Sequence, residues 1–250
     1  TVLRGNITGT TGPMVVDLSA DGTVHRRKIL TRSGAMVGDH VYVRGALADA
    51  ATGLQRLQAA LSASTSTVTH EQEHVGRYLR PEPRVRAGLL LGKNRAATSC
   101  MDLSDGLADG VRQIAQASSV GIALDGAAIP IAEHAKDWLS HHGRDPLDLA
   151  LQGGDDFELI FTSRPKQAGR LRAVRRHLGD LPITRIGVVT KSPRLVVKAG
   201  QGERELPEGY EHFRYPTSAD AFGSRSGRSW TLLACTDASR DRRGENLRFW

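Results

Sequence analysis

What most restricts the fold of this chain is the order of its strand-like and helix-like segments, which never settles into regular strand–helix–strand alternation. Short apolar runs come first, at Met14–Leu18 after Gly12-Pro13, His25–Leu30 and His40–Val43, with Gly38-Asp39 supplying a turn. Helical patterns follow. Leu47, Ala50, Ala51, Leu54, Leu57 and Leu61 share one face of a predicted helix over Ala46–Leu61. Ser62–Thr69 reads as a loop, and Glu71–Tyr78 as a short helix stopped by Arg80-Pro81-Glu82-Pro83. A further helix is predicted over Val85–Leu91. Beyond it, strands at Ala96–Met101, Gly121–Leu124 and Phe157–Thr162 are separated by helices starting near Ser104 and running over Ala132–His142. The first of these carries Leu107, Val111, Ile114 and Ala115 at helical spacing, with Ser104 as its N-cap. A basic helix over Pro165–Leu178 precedes strands at Ile183–Val189 and Leu195–Val197. Such an order predicts an α+β domain, a mixed sheet with helices packed on it, rather than a doubly wound parallel sheet.

Hydrophobic residues make up 39% of the 250 residues and aromatics only 5%, so the core is aliphatic. The net charge of +7 raises the question of nucleic acid. Only six of the 34 basic residues are Lys, and the Arg are scattered rather than gathered into one stripe, so nucleic-acid binding is not indicated. A basic surface also suits an enzyme that handles phosphates. Cys100 and Cys235 stand alone, with no CxxC spacing for zinc or a disulfide framework. No apolar run approaches the roughly 20 residues of a membrane span. The opening Thr1-Val2-Leu3-Arg4-Gly5-Asn6 has no signal-peptide character, begins in mid-pattern without Met, and reads as the edge of a fragment. A reducing cytoplasm is the expected location. After Pro216 Ser, Arg, Gly and Asp dominate, so residues 217–250 read as an irregular tail in which only Thr231–Cys235 has strand character.

Two acidic segments carry the chemistry. In Asp102-Leu103-Ser104-Asp105-Gly106 two carboxylates three residues apart at a helix start can reach one hard cation. Ser104 and the first free amides of the helix can meet a phosphate. The same pattern also serves as an ordinary acidic N-cap. In Gly153-Gly154-Asp155-Asp156-Phe157-Glu158-Leu159 two glycines make a tight turn that presents carboxylates at the mouth of a strand, or simply a solvated turn. Glu158 alternates with Phe157 and Leu159 and is expected on the solvent face. Arg32, between two strands, can clamp phosphate oxygens or stay solvated. His134, His141 and His142 and the arginines at 170, 172, 175 and 176 read as solvated helix faces, and Cys100 as a buried small residue.

Several segments appear together in the order seen in thiamine-monophosphate kinases, and over roughly Leu3–Phe213 the chain resembles that family. They are Arg32-Ser33-Gly34-Ala35 with Gly38-Asp39, Arg77-Tyr78-Leu79-Arg80-Pro81, the two acidic segments, Thr184-Arg185-Ile186-Gly187, and Gly209-Tyr210-Glu211-His212-Phe213. The resemblance implies an aminoimidazole-ribonucleotide-synthetase-like fold and transfer of the ATP γ-phosphate to thiamine monophosphate, with Mg2+ required. It implies metal-binding roles for Asp102 and Asp105, ATP contacts for Gly5, Asn6, Arg32 and Ser104, and substrate contacts for Asp155 and Tyr210. No residue acts as an acid or base, since phosphoryl transfer works by positioning and charge neutralisation. The family pattern has Asp where Asn6 stands, and Glu where Asp155 stands. Roughly its first third has no counterpart here, which implies a chain inactive alone and, in the full-length protein, a homodimer. The implied organisation is residues 1–30 as the end of an amino-terminal ATP-binding domain, 31–216 as the carboxy-terminal domain, and 217–250 as the tail. Alternatives are another ATP-dependent member of the superfamily, such as a selenophosphate synthetase or hydrogenase-maturation relative, or a truncated non-catalytic binding module.

Overall fold

The structure, a computed structural model, describes residues 22–62, 73–179, 182–200 and 202–209. The expected strand at 14–18, the loop at 63–69 and the tail lie outside the described residues, as do Gly5, Asn6 and Tyr210. Within the described residues the chain forms β1 (His40–Arg44), α1 (Asp49–Ser62), α2 (Glu73–Leu79), α3 (Val85–Asn94) and β2 (Ser99–Asp102). Then come α4 (Leu107–Ser118), β3 (Gly121–Asp125), α5 (Glu133–His141), α6 (Pro146–Gln152) and β4 (Leu159–Ser163). The order closes with α7 (Ala168–Leu178), β5 (Ile183–Thr190), β6 (Leu195–Ala199) and β7 (Gly202–Glu205). The strands make one mixed sheet in the order β2-β4-β1-β5-β3-β6-β7. Only β3 and β6 pair in parallel, so this is the α+β arrangement that the element order predicts.

Strand alternation sends side chains to two cores. On one face Val41 and Val43 of β1 join Ile160, Ile122, Leu124, Ile186 and Val197, and α4, α5 and α6 cover them. α4 supplies Leu107, Val111, Ile114 and Ala115, all buried, as its spacing predicts. Its C-terminal end is closed by Ser119 in the left-handed conformation (φ 54°), whose amide returns to the Ala115 and Gln116 carbonyls. On the other face Tyr42 stacks on Phe161 across the β1–β4 register, 5.3 Å between ring centres, with Cys100, Leu91, Leu171 and Val174 beneath α3 and α7. Burial pushes the Cys100 thiol up to about 12, helped by the nearby Asp102 charge, so it is a packed small residue.

Two sequence expectations are corrected by these elements, and two elements lie beyond what the sequence predicts. His25–Leu30 is not a strand but one 3-10 turn, Arg26–Lys28, flanked by extended backbone. Ser104 does not cap α4: the helix starts three residues later, its cap residue is Gly106, and the Ser104 hydroxyl donates instead to Asp105 Oδ2 at 3.2 Å. α6 and β7 were not expected. α6 has an Asp145 carboxylate accepting from the Leu147 amide and Pro146 in its first turn, whereas every residue of β7 is exposed and carries no apolar signal.

Candidate functional site

The two acidic segments meet at one end of the sheet. β2 and β4 are antiparallel neighbours, with Asp102 opposite Leu159, so the loop leaving β2 lies beside the loop entering β4. Their backbones are bonded together. The Asp155 amide donates to the Ser104 carbonyl at 2.7 Å, the Phe157 amide to Leu103 at 3.0 Å, and the Leu103 amide to Glu158 at 2.9 Å. Glycines make this approach possible. A Cβ on Gly154 would stand 2.5 Å from the Ser104 carbonyl oxygen, and one on Gly106 (φ +94°) would stand 2.8 Å from that of Gly153. Asp102 and Asp155 are exposed, and Ser104 and Asp105 are half-buried. These four residues therefore lie on two adjoining loops.

The loop entering β4 is strained and firmly anchored. Asp155 (φ 66°) and Phe157 (φ 49°) both take the left-handed conformation, at a cost of about 1–2 kcal/mol each for residues with a Cβ. Between and beyond them, two carboxylates point inward. Asp156 accepts from the amides of Ala48 (2.8 Å) and Ala50 (3.1 Å), at the N-terminus of α1. Its burial pushes its carboxyl up to about 7, and the charges of Asp49 and Glu158 add to this, while the two amides pull the other way.

Glu158, expected on the solvent face, is only 1% exposed. The expectation fails because the regular strand begins at Leu159, and the left-handed Phe157 breaks the alternation on which it rested. The Glu158 carboxylate accepts from Arg44 of β1 at 2.8 Å and Arg77 of α2 at 2.8 Å. It also accepts from Arg84, the residue before α3, at 2.7 and 3.1 Å. Burial works to lower the Arg84 pKa, but the bonds to Glu158 and Glu82 outweigh it and the net direction is up. Gly45 (φ +85°) leaves space for this carboxylate, since a Cβ there would collide with it. No periodic pattern marks a carboxylate served by arginines at 44, 77 and 84, and for that reason the sequence hides it.

Arg32 is exposed, on a turn held along the outer edge of β2, where the Cys100 amide donates to the Thr31 carbonyl at 2.8 Å. Ser118 Oγ, at the last residue of α4, accepts from the Gly34 and Ala35 amides at 3.2 and 3.1 Å. This pins the Arg32 backbone at the opposite end of α4 from Ser104 and Asp105, roughly 18 Å along a helix of that length. The structure thus gathers Asp102, Ser104, Asp105 and Asp155 but not the Arg32 backbone. Among the described residues no three or more His, Cys, Asp or Glu side chains converge on a point that could hold a metal. Asp102 and Asp105 offer hard oxygens, and Mg2+ is commonly held through one or two carboxylates with waters and substrate phosphates completing its shell, so the donors present fit that ion. His134 and His141 of α5 and His142 just after it are exposed as expected, with His142 stacked on Trp138, and so are Arg170, Arg172, Arg175 and Arg176. No helix of the described residues is long and apolar enough to cross a membrane.

The thiamine-monophosphate kinase of Escherichia coli K12 is 37% identical over 211 residues, covering 83% of this chain and 62% of that protein. The chain thus spans less than two-thirds of the length of this relative. Among solved structures, thiamine-monophosphate kinase from Stenotrophomonas maltophilia K279a superposes with a TM-score of 0.61 at 38% identity, over 70% of this chain and 54% of that one. AaThiL complexed with AMPPCP and TMP gives 0.60 at 30%, over 74% and 54%. Hydrogenase maturation protein HypE of E. coli, at 20% identity and a TM-score of 0.53, shares the fold. The family described as AIR synthase related protein, C-terminal domain, matches residues 37–200, and the chain therefore belongs to that family.

Proposed function

We propose that this chain is the carboxy-terminal part of a thiamine-monophosphate kinase, which transfers the ATP γ-phosphate to thiamine monophosphate and yields thiamine diphosphate. The observation that carries the reading is the apposition of Asp102, Ser104 and Asp105 with Asp155 across two bonded loops, in a chain whose relatives bear that name. In this reading Asp102 and Asp105 hold Mg2+, which neutralises phosphate charge. Ser104, Arg32, Gly5 and Asn6 contact ATP, and Asp155 and Tyr210 contact thiamine monophosphate. Residues 1–30 belong with an amino-terminal domain, 31–216 form the carboxy-terminal domain and 217–250 a tail. Two copies pair in the complete enzyme, which works in the cytoplasm.

Alignment of nucleotide, metal and acceptor demands groups from both sides of the reaction centre. The test is therefore thiamine diphosphate formation by this chain alone and by the chain joined to the amino-terminal part of the E. coli relative. Turnover that appears on joining and disappears in Asp105→Asn supports the reading. A folded joined protein that binds neither ATP nor thiamine monophosphate would overturn it.

A further inference from the structure

We propose that Glu158 is a positioning residue: its triple-arginine anchorage sets the orientation of the loop that presents Asp155 beside Ser104 and Asp105. This deepens the phosphotransfer reading and rests on it for the role of Asp155. Three observations converge on Glu158. Its carboxylate, 1% exposed, is fully occupied by guanidiniums from three separate elements, β1, α2 and the start of α3. Its carbonyl accepts from the Leu103 amide, so the side chain that is locked and the bond that joins the two acidic loops belong to one residue. It follows directly on Asp155, Asp156 and Phe157, two of which are held in a left-handed conformation that relaxes unless its surroundings over-determine it.

A turn that merely reversed the chain would not need left-handed residues that carry a Cβ, as Asp155 and Phe157 do. The Glu158 and Asp156 anchors take both neighbouring carboxylates inward and leave Asp155 as the one exposed acid of the segment. Arg77, 25% exposed on its side chain, is the arm of the cluster nearest solvent. It can be removed while Arg44 and Arg84 still neutralise Glu158.

The experiment compares hydrogen exchange in the 250-residue chain with its Arg77→Gln and Glu158→Gln variants, and measures binding of Mn2+ as the metal probe. If Glu158 positions the loop, exchange at the Asp155 and Phe157 amides quickens at least tenfold in R77Q while Val196 and Val197 of β6 keep their wild-type rates. Mn2+ binding then weakens about fivefold or more, and further in E158Q. Uniform acceleration across the chain, or unchanged loop exchange in a folded R77Q, refutes positioning and leaves Glu158 a stability residue. If E158Q does not fold, R77Q decides alone. If wild-type chain binds no Mn2+ that Asp105→Asn abolishes, the metal part of the kinase reading fails, and the exchange result still settles Glu158.

Discussion

Replacing Asp156 by Asn tests how this fold handles a carboxylate shut away from water. Burial is the largest influence on the group and raises its carboxyl from 3.8 to about 7, against the pull of the Ala50 and Ala48 amides. With the folded value above the unfolded one, the folded state holds the proton more tightly. The resulting stability is fully present below about pH 4 and is lost as pH rises through about 7. Between pH 5 and pH 8 most of the change lies in the two units from 5 to about 7. At 1.36 kcal/mol per unit, wild type should lose about 2.5 kcal/mol relative to D156N over that interval. Asn keeps an oxygen for one of the two α1 amides and gives up the other bond, a loss of about 1 kcal/mol that is the same at both pH values. Urea unfolding of both proteins at pH 5 and pH 8, at one ionic strength, isolates the titration as a difference of differences. An identical gap between wild type and D156N at the two pH values would refute the reasoning. It would mean that the Ala48 and Ala50 amides keep Asp156 ionised in spite of its burial.

Two further outcomes follow from the same geometry. Gly45→Ala forces a Cβ into the left-handed region and against the Glu158 carboxylate, so it should cost about 3 kcal/mol or more by denaturant unfolding, and Gly45→Asn should cost no less. Cys100, with its thiol raised to about 12, should resist iodoacetamide in the native protein at pH 8 and react readily once urea unfolds it.

The parts of the fold legible in the sequence are those whose partners lie close by in the chain. α4 announces itself through Leu107, Val111, Ile114 and Ala115, and β1, β5 and β6 through their valines and isoleucines, because burial of one helical stripe or strand face repeats at a fixed period. α6 is illegible although Asp145-Pro146 is a helix-start signal, since its seven residues are too few to establish a period. β7 carries no signal to find, as its four residues are all exposed and its ladder partner is β6, with Arg204 paired to Asp148 and Glu203 to Arg194. The acidic loops were recognisable by composition, but their bonding to each other joins residues some 50 apart in the chain. Glu158 shows the limit most clearly: period-two alternation assigns a strand residue to a face, and it says nothing when left-handed residues interrupt the strand just before it.

The sheet order has a consequence for how this chain is made. β1 lies between β4 and β5, so His40–Arg44 finds its first partner only when Leu159–Ser163 exists, about 115 residues later, and its second at Ile183–Val188. At synthesis rates of roughly 5–20 residues per second, Val41, Tyr42 and Val43 wait for about 6–25 s for the first of the two partners they have in this sheet. During that time the nascent chain carries a valine-rich strand without its sheet partners, prone to pair with the same strand on a neighbouring ribosome. The helices α1 to α3, all local in sequence, are the segments available to shield it. A burst of misassembly should accordingly accompany a stall between residues 44 and 159, and slower passage after residue 188, once both partners of β1 exist, should be harmless.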